Sequence, residues 1–372
     1  MNAGFIWWGQ IGNSLRLLTK VTNSLRDCQS AVLQVPENLP WRQDFYDAID
    51  ARRSAFSGER RLMRLQWEDN ADPGEFILDE LCSKRVRADY WPGQTYATYL
   101  GSRDDILLND YYVWITGVHS KTDIARWAEF ISQYDHAAQR LENRAVYIVE
   151  YDGTPIDVSG VEKIVYTVEN YDCRVFCLET AAANNNTDMH TYQAELALSI
   201  GNGDPELCDA LLDLGDKLLN DPVKATTDLY DMLGLEERAE QSIISAAWKA
   251  TIILLFPILE QHRMDFVTKH KAALARHLPI SNSNGDRVTD PCDLEIGPLQ
   301  YIVSSAGKDF SSEEVDEVKL CRRARNLLAH NKLVPYADVK KILRFHSLFH
   351  LPTEFDKVPS LYHGLPVDAS GK

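Results

Sequence analysis

Two short, unbroken apolar runs bracketing a helix-periodic stretch constrain this fold more than any other feature of the chain. Residues 111–116 (YYVWIT) and 145–150 (AVYIVE) lack polar alternation and are too short for core helices. That is the pattern of strands buried on both faces of a parallel sheet. Between them, over residues 122–141, Ile124, Trp127, Ala128, Ile131, Tyr134, Ala138 and Leu141 recur at three-to-four spacing, as in an amphipathic helix laid on a sheet. Strand, helix and strand make a βαβ unit, so an α/β domain with a mainly parallel sheet is expected. The runs at 31–35, 164–168 and 175–178 read as further strands. Leu207, Leu211, Leu212 and Leu218 resume the helical pattern after the turn-rich stretch 201–205.

From about Leu235 the chain reads as helix almost throughout, with a polar loop at 281–291 (SNSNGDRVTDP). Ser311 and Glu314 have capping-box spacing and open a helix that runs through Val315, Val318, Leu320 and Leu327. Pro335 forbids its continuation. Residues 338–349 form a last helix, and those after Pro352 a polar tail. A chain of 372 residues suits two or three domains. The division that results is an α/β domain over 1–234, an all-α bundle over 235–352 and a tail over 353–372.

Charge narrows the function classes. The net charge is −16, which disfavours phosphate binding over most of the surface. Residues 238–350, however, hold 16 Lys and Arg against 13 Asp and Glu, a net of +3, and leave −19 to the rest. A polyanion is therefore expected on the later segment alone. The longest apolar run, residues 250–259, is about half of the ~20 residues a membrane span needs. The first ten residues carry no basic n-region. Seven scattered cysteines without CxxC spacing suit reduced thiols. A cytoplasmic protein without a membrane partner is expected.

Several motifs bear on chemistry. Apolar residues 5–8 followed by Gly9-Gln-Ile-Gly12-Asn-Ser14 and a helical stretch have the outline of a nucleotide-binding unit. A working P-loop needs a lysine beside the Ser or Thr. Asn13 stands there, and no Gly-Lys-Ser/Thr occurs in the chain. Residues 76–80 and 146–150 imitate strands ending in an acid. This layout, over roughly residues 1–230, resembles the degenerate P-loop domains called inactive STAND modules of bacterial conflict systems, which implies a scaffold or sensor that does not hydrolyse ATP. Cys173 and Cys177 sit in a strand-like run without matching zinc ligands, and His346 and His350 lack the HExxH glutamate, since Ser347 stands there. No metal or other cofactor is expected.

The sharpest signal is Cys321-Arg-Arg-Ala-Arg325-Asn326-Leu-Leu-Ala-His330-Asn331. An arginine, a polar residue and then a histidine near a helix end, in a basic all-helical segment, resembles the HEPN family, whose signature is Arg, four to six residues, then His. The resemblance covers about residues 238–350. It implies a ribonuclease in which Arg325 stabilises the phosphorane, His330 transfers protons and Asn326 orients the scissile phosphate or His330. Arg322, Arg323 and Lys332 are the candidate phosphate contacts.

The residue types suit cleavage without a metal. Histidine changes protonation state near neutral pH, and arginine is a permanent planar cation. Residues five apart lie ~140° apart around a helix, so Arg325 and His330 need a helix end or a second subunit to meet. The resemblance accordingly implies a homodimer through the C-terminal domain, with RNA as substrate and bacterial anti-phage defence as the setting. A regulatory protein partner stays open. Two other readings also stay open: a helix-end histidine placed only by the carbonyl dipole, and a HEPN-like adaptor without activity.

Overall fold

The computed structural model describes residues 2–348 except 57–59, 69–70, 185–188, 282–284 and 307. The elements run α1 (Ala3–Gln10), α2 (Gly12–Arg26), β1 (Ala31–Gln34), α3 (Arg42–Ser54), β2 (Arg61–Gln66), α4 (Pro73–Leu81), α5 (Lys84–Ala88) and α6 (Tyr96–Gly101). Next come β3 (Tyr111–Val118), α7 (Lys121–Ala137), β4 (Val146–Tyr151), β5 (Glu162–Val165), α8 (Asn170–Asn184), α9 (His190–Gly201) and α10 (Pro205–Asp213). The remainder is α11 (Asp216–Asn220), α12 (Pro222–Leu233), α13 (Glu240–Lys269), α14 (Lys271–Ala275), β6 (Ile280–Ser281), β7 (Arg287–Val288), α15 (Ile296–Ser305), α16 (Ser312–Ala329) and α17 (Tyr336–Leu348).

Two compact units result, Met1–Asn185 with Gly201–Asp213, and Asn186–Ile200 with Leu214–Lys372. The first is α/β. Its five strands are all parallel in the order β2-β3-β4-β1-β5. The expected βαβ unit is β3-α7-β4, in which every residue of β4 is buried. Ile124, Trp127, Ile131 and Tyr134 of α7 are buried at the spacing read from the sequence.

One run read as a strand, 175–178, and two apolar runs with a strand-like outline, 5–8 and 76–80, are helical. Residues 5–8 lie in α1, where Trp7 and Trp8 are buried, so no strand precedes Gly9. Residues 175–178 lie in α8, and Cys173 and Cys177 stand one turn apart on that helix. Residues 76–80 lie in α4, which Asp72 caps ahead of Pro73. Four or five apolar residues fit a buried helix stripe as well as a buried strand. Conversely, β2 (RLMRLQ) carries arginines because it is an edge strand with one partner, β3.

The second unit is helical apart from the small antiparallel hairpin β6-β7, which the all-α expectation omitted. It also starts earlier than residue 235, since residues 190–200 and helices α11 and α12 belong to it. Residue 234 marks only the left-handed Gly234 cap that ends α12. The core helix α13 packs on α12, α16 and α17. Among the described residues α13 is the one helix long and apolar enough to cross a membrane by length and composition. Its Thr251, Leu255 and Leu259 are nonetheless buried in the unit, and Thr251 shares a hydrogen bond with Tyr192. His350 and residues 353–372 lie outside the described residues.

Candidate functional site

Open α/β sheets bind ligands beyond the carboxyl ends of their strands, with phosphate held at the helix N-terminus that follows. In the first unit that position is the β1–α3 connection, residues 35–41 (VPENLPW). It has no glycine or lysine, and the chain's own groups fill it. Trp8 donates its indole N–H to the Pro40 and Trp41 carbonyls (3.0 and 3.2 Å), and the Glu206 carboxylate accepts from the Trp41 backbone N–H (2.6 Å). Glu150 ends β4 almost wholly buried. It accepts from Arg42, from the Tyr46 hydroxyl at 2.9 Å and from the Trp114 indole at 3.0 Å. Burial pushes the Tyr46 phenol up, against the pull of Arg42 and Arg64, so it remains a donor.

The segment expected to imitate the phosphate loop lies elsewhere. Gly9 is inside α1 and Gly12 starts α2. Ser14 is buried with its hydroxyl 3.0 Å from that of Tyr166, and Asn13 donates to the Thr167 carbonyl and to Asp172. These residues pack helices together and form no strand-to-helix loop.

The C-terminal residues of α16 in the second unit are arranged differently. At its start the expected capping box forms: Ser311 Oγ accepts from the Glu314 N–H, and Glu314 from the Ser311 N–H. Lys269, the Ser311 N–H and His270 hold the Glu314 carboxyl down to about 2. At its end the Lys332 N–H returns to the Leu327 carbonyl (2.9 Å) and the Asn331 N–H to that of Leu328 (3.2 Å), a Schellman cap. Asn331 supplies the left-handed residue, with φ +54°. This cap fixes His330 at the helix terminus and turns Lys332 back beside it. Trp248 of α13 donates to the Leu328 carbonyl at 2.8 Å, which satisfies another end group.

Around that terminus is a cavity of about 360 Å³ lined by Gln300, Lys319, Arg322, Arg323, Asn326, Leu327, His330 and Lys332. From 319 to 322 or 323, then to 326 and 330, each step is three or four residues, so one face of α16 and its cap presents all five. Five of the six expected site residues therefore meet there: Arg322, Arg323, Asn326, His330 and Lys332. Arg325 is exposed and does not line the cavity, as its angular distance from His330 on a helix requires.

The cations are not equivalent. Arg323 gives both oxygens of Asp338 a hydrogen bond at 2.8 Å and so anchors α17. Arg322 donates to the Gln300 side-chain oxygen at 2.5 Å, a neutral partner that leaves its charge uncompensated. Lys319 has only the exposed Asp316 at 3.4 Å, a pairing of little strength in water. The cavity accordingly favours an anion. Lys319 and Gln300 are the wall residues that the motif did not supply. Lys319 was legible as a cation one turn before Arg323, whereas Gln300 comes from another helix.

His119 and Asp152, beyond the ends of β3 and β4, also meet, with Nδ1 2.6 Å from a carboxylate oxygen. No sequence spacing links them, since only the parallel pairing of β3 and β4 brings them together. Among the described residues no group of three or more His, Cys, Asp or Glu is placed to hold a metal ion. In comparisons with known proteins, no family model matches the chain and no curated protein matches it.

Proposed function

We propose that the second unit is a HEPN-like endoribonuclease domain that cleaves RNA at the cavity over the last turn of α16 without a metal. One observation carries this reading: His330, Asn326, Arg322, Lys319 and Lys332 converge on one cavity whose free charge is positive. The ribose 2′-oxygen attacks the phosphorus while His330 takes its proton. The bond to the 5′-oxygen breaks as that oxygen takes a proton from the protonated His330 of the partner subunit, which leaves a 2′,3′-cyclic phosphate and a 5′-hydroxyl. Arg322 takes the in-chain place assigned to Arg325, meeting the phosphorane with a fixed guanidinium. Asn326 orients the phosphate, and Lys319 and Lys332 hold its neighbours.

One His330 serves one proton transfer at a time, so a homodimer is part of the proposal. A two-fold pair brings a second His330 to one cleft, with Arg325 of the partner subunit completing it across the contact. Exposed apolar side chains such as Ile253 and Phe256 of α13 could be buried in that contact. The first unit, with its strand ends filled, is read as a degenerate P-loop scaffold without ATP hydrolysis, its loop position at 35–41 and not 9–14. A bacterial defence effector, restrained or triggered by a partner protein, is the role these parts suit. The same exposed α13 residues favour a second reading, a non-enzymatic adaptor that uses this face for protein contact.

The test is incubation of the full-length protein with total RNA in excess chelator. Wild type should cut, and folded His330→Ala should lose about 10²–10⁴-fold in rate, the usual worth of a positioned acid or base. Excess inactive subunit, His330→Ala with Arg325→Ala, should depress wild-type activity beyond dilution. A folded His330→Ala variant that cuts at the wild-type rate overturns the assignment, and wild type without activity favours the adaptor.

A further inference from the structure

The opposite end of the parallel sheet, where its strands begin, surrounds a second cavity of about 650 Å³. Three guanidinium groups reach it: Arg26 from the last turn of α2, and Arg60 and Arg61 from the start of β2. Arg26 lies over the Phe56 ring at 5.5 Å and Arg60 over that of Tyr112 at 5.3 Å. Arg60 is fixed by bonds to the Arg144 carbonyl (2.8 Å) and the Cys28 sulfur (3.2 Å). Among the described residues none of the three arginines is in an ion pair. Among the described residues Asp110 is the one acid in the wall.

A basic residue in the last turn of a helix ordinarily complements the helix dipole, which accounts for Arg26 alone. Arg61 lies in a strand, and among the described residues its exposed side chain meets no carboxylate. In a first unit whose surface is otherwise acidic, such an uncompensated cluster is held at a cost unless an anion neutralises it. Beside Cys28, Asp110 and Asn143, the wall carries an apolar and aromatic group, Phe56, Leu107, Tyr111 and Tyr112, of which Leu107 is 67% exposed. The volume falls within the range of roughly 300–1,000 Å³ typical of small-molecule sites. At the carboxyl ends, where such sheets usually bind ligands, the chain fills the position itself.

We propose that this amino-end cavity binds a nucleotide, with its phosphates on Arg26 and Arg61 and its base against Phe56, Leu107 and Tyr111. Guanidinium forks suit phosphate oxygens, and a flat ring suits the aromatic wall. The proposal is independent of the ribonuclease reading, which concerns the other unit.

Calorimetric titration of the full-length protein with ADP, inorganic pyrophosphate and adenosine tests it. ADP should bind saturably, and Arg26→Ala and Arg61→Ala should each weaken it about tenfold, the value of one charge-assisted hydrogen bond. Both side chains are exposed, so the variants should keep the wild-type thermal midpoint. Phe56→Ala should weaken ADP while leaving pyrophosphate unchanged. The proposal is overturned by absence of saturable ADP binding, by unchanged affinity in the double arginine variant or by pyrophosphate binding as tightly as ADP. A single-stranded oligonucleotide that binds more tightly than ADP overturns it in favour of an RNA surface.

Discussion

The carboxyl ends of the sheet and the last turn of α16 use the same kinds of side chain, arginine, carboxylate and aromatic, and use them to opposite ends. At the sheet, Arg42 meets Glu150, while Tyr46 and Trp114 complete the carboxylate's hydrogen bonds in near-complete burial. Around His330, among the described residues, only Arg323 has a carboxylate partner with good geometry, and Arg322 and Lys332 face a cavity with their charge unspent. The difference teaches how to tell a structural cluster from a candidate site: a charge already neutralised holds the protein together, and one left open can hold something else. α16 repeats the contrast along its own length, closed at Glu314 and open at His330.

The largest effect should come from breaking the closed cluster. Glu150→Ala leaves Tyr46 and Trp114 without their shared acceptor, at about 1–3 kcal/mol for each buried donor, while Arg42, 35% exposed, can turn to water. Urea denaturation should show it, with Glu150→Gln losing less because it still accepts from Tyr46 and Trp114. A change below about 0.5 kcal/mol, the ordinary size of a surface substitution, would remove the contrast.

Next in size is the choice between the two arginines. Arg322→Ala should slow RNA cleavage by about 10²-fold, as loss of one preorganised oxyanion contact does. Arg325→Ala should matter only where a second subunit completes the cleft. Its effect should therefore vanish in a variant held monomeric by Phe256→Asp, as followed by light scattering and rate together. Equal losses in that monomer would place Arg325 in the in-chain site.

A smaller effect should follow from the cap that sets His330. Asparagine tolerates φ +54° because its short polar side chain can bond locally, whereas alanine cannot, so Asn331→Ala should cost about 1 kcal/mol and lower cleavage as well. Asn331→Gly should preserve stability, because glycine adopts this region freely.

The smallest is a pH effect at the closed end of α16. Glu314 is held down to about 2 when folded, against about 4.3 for an unperturbed glutamate. Its contribution is therefore complete above the unfolded value and is lost as pH falls towards 2. Stability measured from pH 5 to pH 2 should fall less steeply in Glu314→Gln than in wild type.

Much of this architecture is legible in single residues. The buried runs at β3 and β4 and the periodicity of α7 specify a βαβ unit, because strand and helix bury their faces at different periods. Ser311 with Glu314 announces the start of α16, and the 322–332 segment announces its basic end. Local patterns failed where a short run served two structures, as in residues 5–8 and 175–178, both helical. The unit boundary also escaped, since residues 190–200 return to the second unit and 201–213 to the first, and neither return changes the composition.

By itself the sequence determined the β3-α7-β4 unit, where α16 starts, and which of its residues share a face, because those follow from periodicity and capping within a few residues. The tertiary structure alone decided which charges were spent. Arg42 and Glu150 are 108 residues apart, Arg323 and Asp338 are 15 apart on different helices, and Gln300 reaches Arg322 across 22 residues. Pairing of that kind depends on distance in space, which falls outside any local pattern, and the electrostatic interaction that decides it is strong only where packing excludes water.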